Sequence, residues 1–169
     1  GAAHGMAALA RAMQAGEVAS LLILDANPAY DAPCDLAFAH ALRHVPWSAH
    51  LGLYRDETAR ATTWHLPLAH ELERWSDARA WDGTASIVQP LIAPLYGGRS
   101  AHELLAAACG EAPQSDHALV RAYWRGQHVE DFDSFWQTAL ATGVVPGSAA
   151  PPITVDMSRP LPSPQFAQP

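Results

Sequence analysis

The stretch Ser20-Leu-Leu-Ile-Leu-Asp-Ala-Asn-Pro28 decides how the chain is read. Four apolar residues, Leu21 to Leu24, run unbroken into a polar turn that Pro28 closes by withdrawing a backbone donor and biasing Asn27 away from helix. So short and continuous an apolar run predicts a strand buried on both faces, as in the middle of a parallel sheet. The turn beyond such a strand is where open α/β sheets bind ligands, which puts Asn27 in a position of chemical interest. As a residue type it also serves as an ordinary turn former, bonding its own backbone.

Working outward, helix and strand signals alternate. A helix is expected over residues 5–15, stopped by Gly16. Pro33 opens a second helix reaching about His44, and Pro46 forbids its continuation. Residues 47–54 read as a second strand, with Ala49, Leu51 and Leu53 alternating. Asp56 caps a short helix over 57–61 whose acidic first turn suits the helix dipole. Residues 64–69 read as a third strand. This βαβαβ order predicts parallel pairing and an α/β, three-layer, Rossmann-like fold.

Beyond it, residues 72–82 read as loop with a little helix, and 84–89 as a strand. Ser100-Ala-His-Glu103 is a capping box that starts a helix ending near Gly110. Ser115 or Asp116 caps another, burying Leu119, Val120, Tyr123 and Trp124. The helix over 131–141 has the clearest period, Phe132, Phe135, Trp136, Ala139 and Leu140. From Pro146, seven prolines in 24 residues describe an extended tail or linker. One α/β domain over 1–145 followed by a Pro-rich tail over 146–169 is the expected division.

Composition excludes several functions. All ten cations are Arg, against 17 carboxylates, and a net charge of −7 without a basic run argues against nucleic acid as a partner. Cys34 and Cys109 stand alone and cannot hold a cluster or structural zinc by themselves. No apolar run approaches the ~18 residues of a membrane span. The start, Gly1-Ala-Ala-His, carries neither Met nor a signal pattern and suggests part of a longer polypeptide.

The densest titratable cluster, His65, His70, Glu71 and Glu73, lacks His-Glu-x-x-His spacing, so a turn and surface role is favoured over metal. Asp56, Glu57 and Thr58 follow the second strand, on the rim where ligand hydroxyls would sit, though an acidic helix start explains them equally well. Neither a dinucleotide nor a P-loop glycine motif occurs, and no serine or cysteine has a nucleophile-elbow setting. The residues alone describe an α/β domain without a catalytic constellation.

Read together, 22–28 ending in Asn27-Pro28, Asp56-Glu57-Thr58-Ala59, and His65-Leu66-Pro67 with Glu73 and Asp82-Gly83 resemble the molybdopterin oxidoreductase superfamily. Asn27 through Pro33, His50-Leu-Gly-Leu-Tyr54, Thr63 through Pro67, and especially residues 82–98 are similar to the large iron–sulfur subunit of alternative complex III, a bacterial quinol-oxidising membrane assembly. The similarity runs from Leu21 to Leu105 and on through the Trp124 and Phe135-Trp136 helices to Gly147. It implies an α/β half that in cofactor-bearing relatives grips one arm of a pterin guanine dinucleotide. It also implies iron–sulfur clusters in a separate region of the parent subunit, neighbouring subunits as partners, and an extracytoplasmic (periplasmic) location.

In those relatives the strand before Leu-Pro begins Ala-Asp, whose carboxylate suits a guanine edge. Here Thr62 and Thr63 stand in its place. The resemblance thus implies no catalytic residue, no metal and no cofactor in this chain, with Asn27, Asp56, Glu57, Thr58 and Thr63 lining a vestigial pocket. The leading expectation is a non-catalytic structural domain of a quinol-oxidising complex. The alternatives are a guanine-dinucleotide-binding domain of an active molybdoenzyme and a free-standing small-molecule module.

Overall fold

The computed structural model of the chain describes residues 5–127 and 130–154. Its centre is a three-stranded parallel sheet of β1 (Ser20–Leu24), β2 (Trp47–Gly52) and β3 (Trp64–Pro67), in the order β1-β2-β3. The α/β class and parallel pairing are as the sequence predicts. The place of β1 is not: it is an edge strand, and only Ile23 in it is fully buried. Each crossover steps the chain in the same direction, so the first strand stays at the rim and β2 takes the middle. The buried strand is therefore the one that carries small and polar residues beside a single leucine, Ser48 to Gly52, every one of them buried.

Register determines which side chains share a face. Ile23 lies opposite His50, and His50 opposite His65. On that face Ile23 joins Ala10 and Met13 of α1 (Met6–Gln14) and Phe38, Ala41 and Leu42 of α3 (Phe38–Leu42) in one core. The other face carries Leu51 and Leu66, which line a cleft of about 470 Å³ with Leu104 and Ala107 of α5 (Ala101–Ala108). Helices thus lie over both faces of the sheet.

The expected second helix from Pro33 to about His44 divides into three pieces. They are α2 (Pro28–Asp31), a 3₁₀ turn (Cys34–Leu36) and α3, which starts only after Ala37 adopts a left-handed conformation, φ +44°. Pro33, extended before the 3₁₀ turn, separates the pieces. A second correction falls on residues 72–82. There the chain forms a 3₁₀ turn (Glu71–Glu73) and β4 (Ser76–Arg79), which pairs antiparallel with β5 (Ala85–Val88). Ser-Asp-Ala-Arg has no strand pattern of its own; pairing with β5 makes it one.

This hairpin rests on α6 (Asp116–Gln127) and α7 (Phe132–Thr142) through a second core of Ala85, Ile87, Val120, Trp124, Phe132, Trp136, Ala139 and Val145. Of the residues expected to be buried on α6, Leu119 is half-buried and Tyr123 exposed. The start of the Pro-rich segment is not loose. The Val145 N–H donates to the Ala85 carbonyl (2.8 Å), and Ser148 Oγ accepts from Ala85 N–H (2.9 Å). Residues 155–169 of the expected tail lie outside the described residues.

Candidate functional site

Because all three strands of the main sheet run parallel, their carboxyl ends open on one edge, where the sequence places Asn27 and the Asp56-Glu57-Thr58 turn. At the end of β1, Asp25 adopts φ +50° while its N–H still donates to the Leu51 carbonyl (2.8 Å). Asn27 then precedes α2. Its side chain does not cap that helix but crosses to α4 (Glu57–Ala61). Oδ1 accepts from the Thr58 hydroxyl (2.8 Å) and the Thr58 N–H (3.2 Å), and Nδ2 donates to Glu57 Oε2 (2.9 Å). Thr58 Oγ1 in turn accepts from the Ala29 N–H (3.0 Å). Thr58 is completely buried, so this knot ties α2 to α4 from the inside.

The Asn27 hydrogen bond is also the main reason that the Glu57 carboxyl sits below its ordinary pKa, since the bond favours the charged acceptor. Asp56 faces inward. Its Oδ1 caps α4 by accepting from Ala59 N–H (2.8 Å) and lies 3.8 Å from Nδ1 of His50.

Thr63 is elsewhere. It stands at the amino end of β3, where its Oγ1 accepts from Ser48 N–H (3.3 Å) and its N–H donates to Ser48 Oγ (3.1 Å). Asn27, Asp56, Glu57 and Thr58 are therefore brought together, and Thr63 is not among them. The His65–Glu73 cluster also separates. His70 and Glu73 form a reciprocal capping box around the 3₁₀ turn: His70 Nδ1 accepts from Leu72 N–H (3.2 Å), and Glu73 Oε2 accepts from His70 N–H (3.3 Å).

His65 turns inward to His50, their Nδ1 atoms 3.3 Å apart. His50 is 1% exposed. Burial first, then His50 and Arg55, hold His65 below its ordinary pKa, against an opposing pull from Asp56. Reading along the sequence does not find this pair, because only the parallel register sets position 50 beside position 65.

Chemically, the edge offers carboxylates and amides bonded to one another. Cys34 and Cys109 are both exposed and free. Among the described residues no group of three or more His, Cys, Asp and Glu is placed to hold a metal ion, and no helix is long and apolar enough to cross a membrane.

No family model matches the chain. Over 96 residues, 54% of the chain, it is 31% identical to the "menaquinone reductase, molybdopterin-binding-like subunit" of Nitratidesulfovibrio vulgaris. The match spans 14% of that relative's length. Over that part of its length the chain is thus similar to a molybdopterin-binding-like subunit of a menaquinone reductase.

Proposed function

We propose that the chain is a non-catalytic structural domain of a quinone-linked electron-transfer oxidoreductase, of the kind represented by the large iron–sulfur subunit of alternative complex III. The observation that carries this reading is the knot at Asn27. In a ligand-binding turn the carboxamide would be offered outward. Here both of its ends are engaged, by Glu57 and by buried Thr58. A ligand could claim the Asn27 carbonyl oxygen only by breaking these bonds and leaving Thr58 without an acceptor, which costs about 1–3 kcal/mol.

The residues present fit a pterin guanine dinucleotide poorly. Thr63 stands where the resemblance would want a carboxylate; its hydroxyl is bonded to Ser48 and lies at the other end of the strands from Asn27. A neutral hydroxyl is also a weaker acceptor than a charged carboxylate for two adjacent N–H donors. No step of any reaction is assigned to this chain.

The structural role would be to seat neighbouring regions. Residues 91–97 are exposed throughout, and Leu91, Ile92, Leu95 and Tyr96 among them leave four large apolar side chains open within one short segment, as contact surfaces do. Iron–sulfur clusters, neighbouring subunits and a periplasmic setting belong to the parent assembly in this reading.

The test is calorimetric titration of guanine nucleotide into the chain, with a molybdenum and pterin assay on the intact parent protein. No binding heat and no molybdenum are expected. Micromolar affinity that Asn27→Ala abolishes, or stoichiometric pterin, would overturn the proposal in favour of a cofactor-binding domain.

A further inference from the structure

The flank of α4 facing β3 is unlike the rest of this acidic molecule. Arg55, Ala59, Arg60, Thr62, Thr63 and His65 line a hollow of about 380 Å³. Arg55 and Arg60 are exposed, and neither stands within ion-pair distance of a carboxylate among the described residues. The nearby acids are otherwise occupied. Asp56 caps α4 and faces His50, while Glu57, which feels the charge of Arg60, is bonded to Asn27.

Two permanent cations thus sit in a chain of net charge −7, and among the described residues neither guanidinium is within ion-pair distance of a carboxylate, although Arg60 lies close enough for Glu57 to feel its charge. Such an arrangement creates a local positive field and a ready set of N–H groups for an oxyanion. The rest of the lining adds little charge. Thr63 is exposed but its hydroxyl is bonded to Ser48, Ala59 is apolar, and His65 contributes a half-buried ring whose Nδ1 is taken up by His50.

We propose that this hollow is an anion site for a phosphoryl group, bound between the guanidinium groups of Arg55 and Arg60. Two positive charges match a phosphate dianion better than a monovalent carboxylate, and guanidinium forks bind phosphate oxygens in pairs. The hollow is separate from the Asn27 knot, so the proposal does not depend on whether that edge binds a nucleotide.

The test titrates inorganic phosphate into the purified chain, following the histidine ring signals by NMR and the binding heat by calorimetry. Saturable binding is expected, with the His65 signals moving while those of His102 and His117 stay in place. Arg55→Gln and Arg60→Gln should each weaken it about tenfold or more, as loss of charge-assisted hydrogen bonds requires. Arg43→Gln, on an exposed arginine outside the hollow, should leave it unchanged. Circular dichroism verifies that the variants keep the fold. No saturable binding at millimolar phosphate, or affinity indifferent to the double Arg55→Gln/Arg60→Gln change, overturns the proposal. Acetate binding as tightly as phosphate would overturn the phosphoryl assignment.

Discussion

Nδ1 of His50 lies 3.3 Å from Nδ1 of His65, across two adjacent parallel strands at the same register level. When both rings are neutral, one nitrogen donates and the other accepts. A proton added to His65 meets a half-buried site, the neighbouring ring and the Arg55 charge, so its folded-state pKa lies below the ordinary 6.5. The unfolded chain then takes up this proton first as pH falls. The stabilisation is complete above the unfolded value and is lost as pH drops from there toward the folded one. Urea midpoints measured at about pH 7.5 and about pH 5.5 should therefore show a fall that His65→Asn reduces. An unchanged pH slope in that variant would show that His65 is not responsible.

Gly52 ends β2 against the same histidine. A Cβ added there would lie 2.7 Å from Nε2 of the His50 ring, which is buried and has no room to swing away. Gly52→Ala should destabilise the fold by about 1–3 kcal/mol through overpacking. Gly126→Ala, inside α6 with nothing within 4 Å of the new methyl, is the control and should be neutral or stabilising. Equal denaturation midpoints for the two variants would refute the steric account.

Asn27→Ala removes the acceptor of the buried Thr58 hydroxyl, and a loss of about 1–2 kcal/mol is expected from those neutral hydrogen bonds. The same change takes away the largest influence holding the Glu57 carboxyl low, so its titration by NMR should move upward. A Glu57 titration indifferent to Asn27→Ala would mean the contact is absent in solution.

Within β1, register separates two neighbours. Ile23, 7% exposed and packed with α1 and α3, should cost about 2–4 kcal/mol as Ile23→Ala. Leu22, half-buried on the opposite face, should cost about 1–2 kcal/mol as Leu22→Ala. Equal losses in urea denaturation would indicate that the strand is covered alike on both faces.

Much of this molecule follows from local sequence. The Ser100–Glu103 capping box, the period of Phe132, Trp136 and Ala139, and the turns after β1 and β2 lie where short-range rules put them, because caps, helical spacing and proline act over a few residues. What only the tertiary structure decided is long-range. The sequence places Leu21 to Leu24 in a strand but cannot say that Ser48 to Gly52, with a histidine in its middle, takes the central position. Nor can it show that Ser76 to Arg79 becomes a strand by pairing with β5, that Asn27 spends its carboxamide on Glu57 and Thr58, or that His50 meets His65 while Thr63 stays at the far end of the strands. Strand order and register are properties of pairing between distant segments. Each of these contacts exists only because parallel register brings together residues 15 or more positions apart, or because a hairpin or crossover closes on its partner.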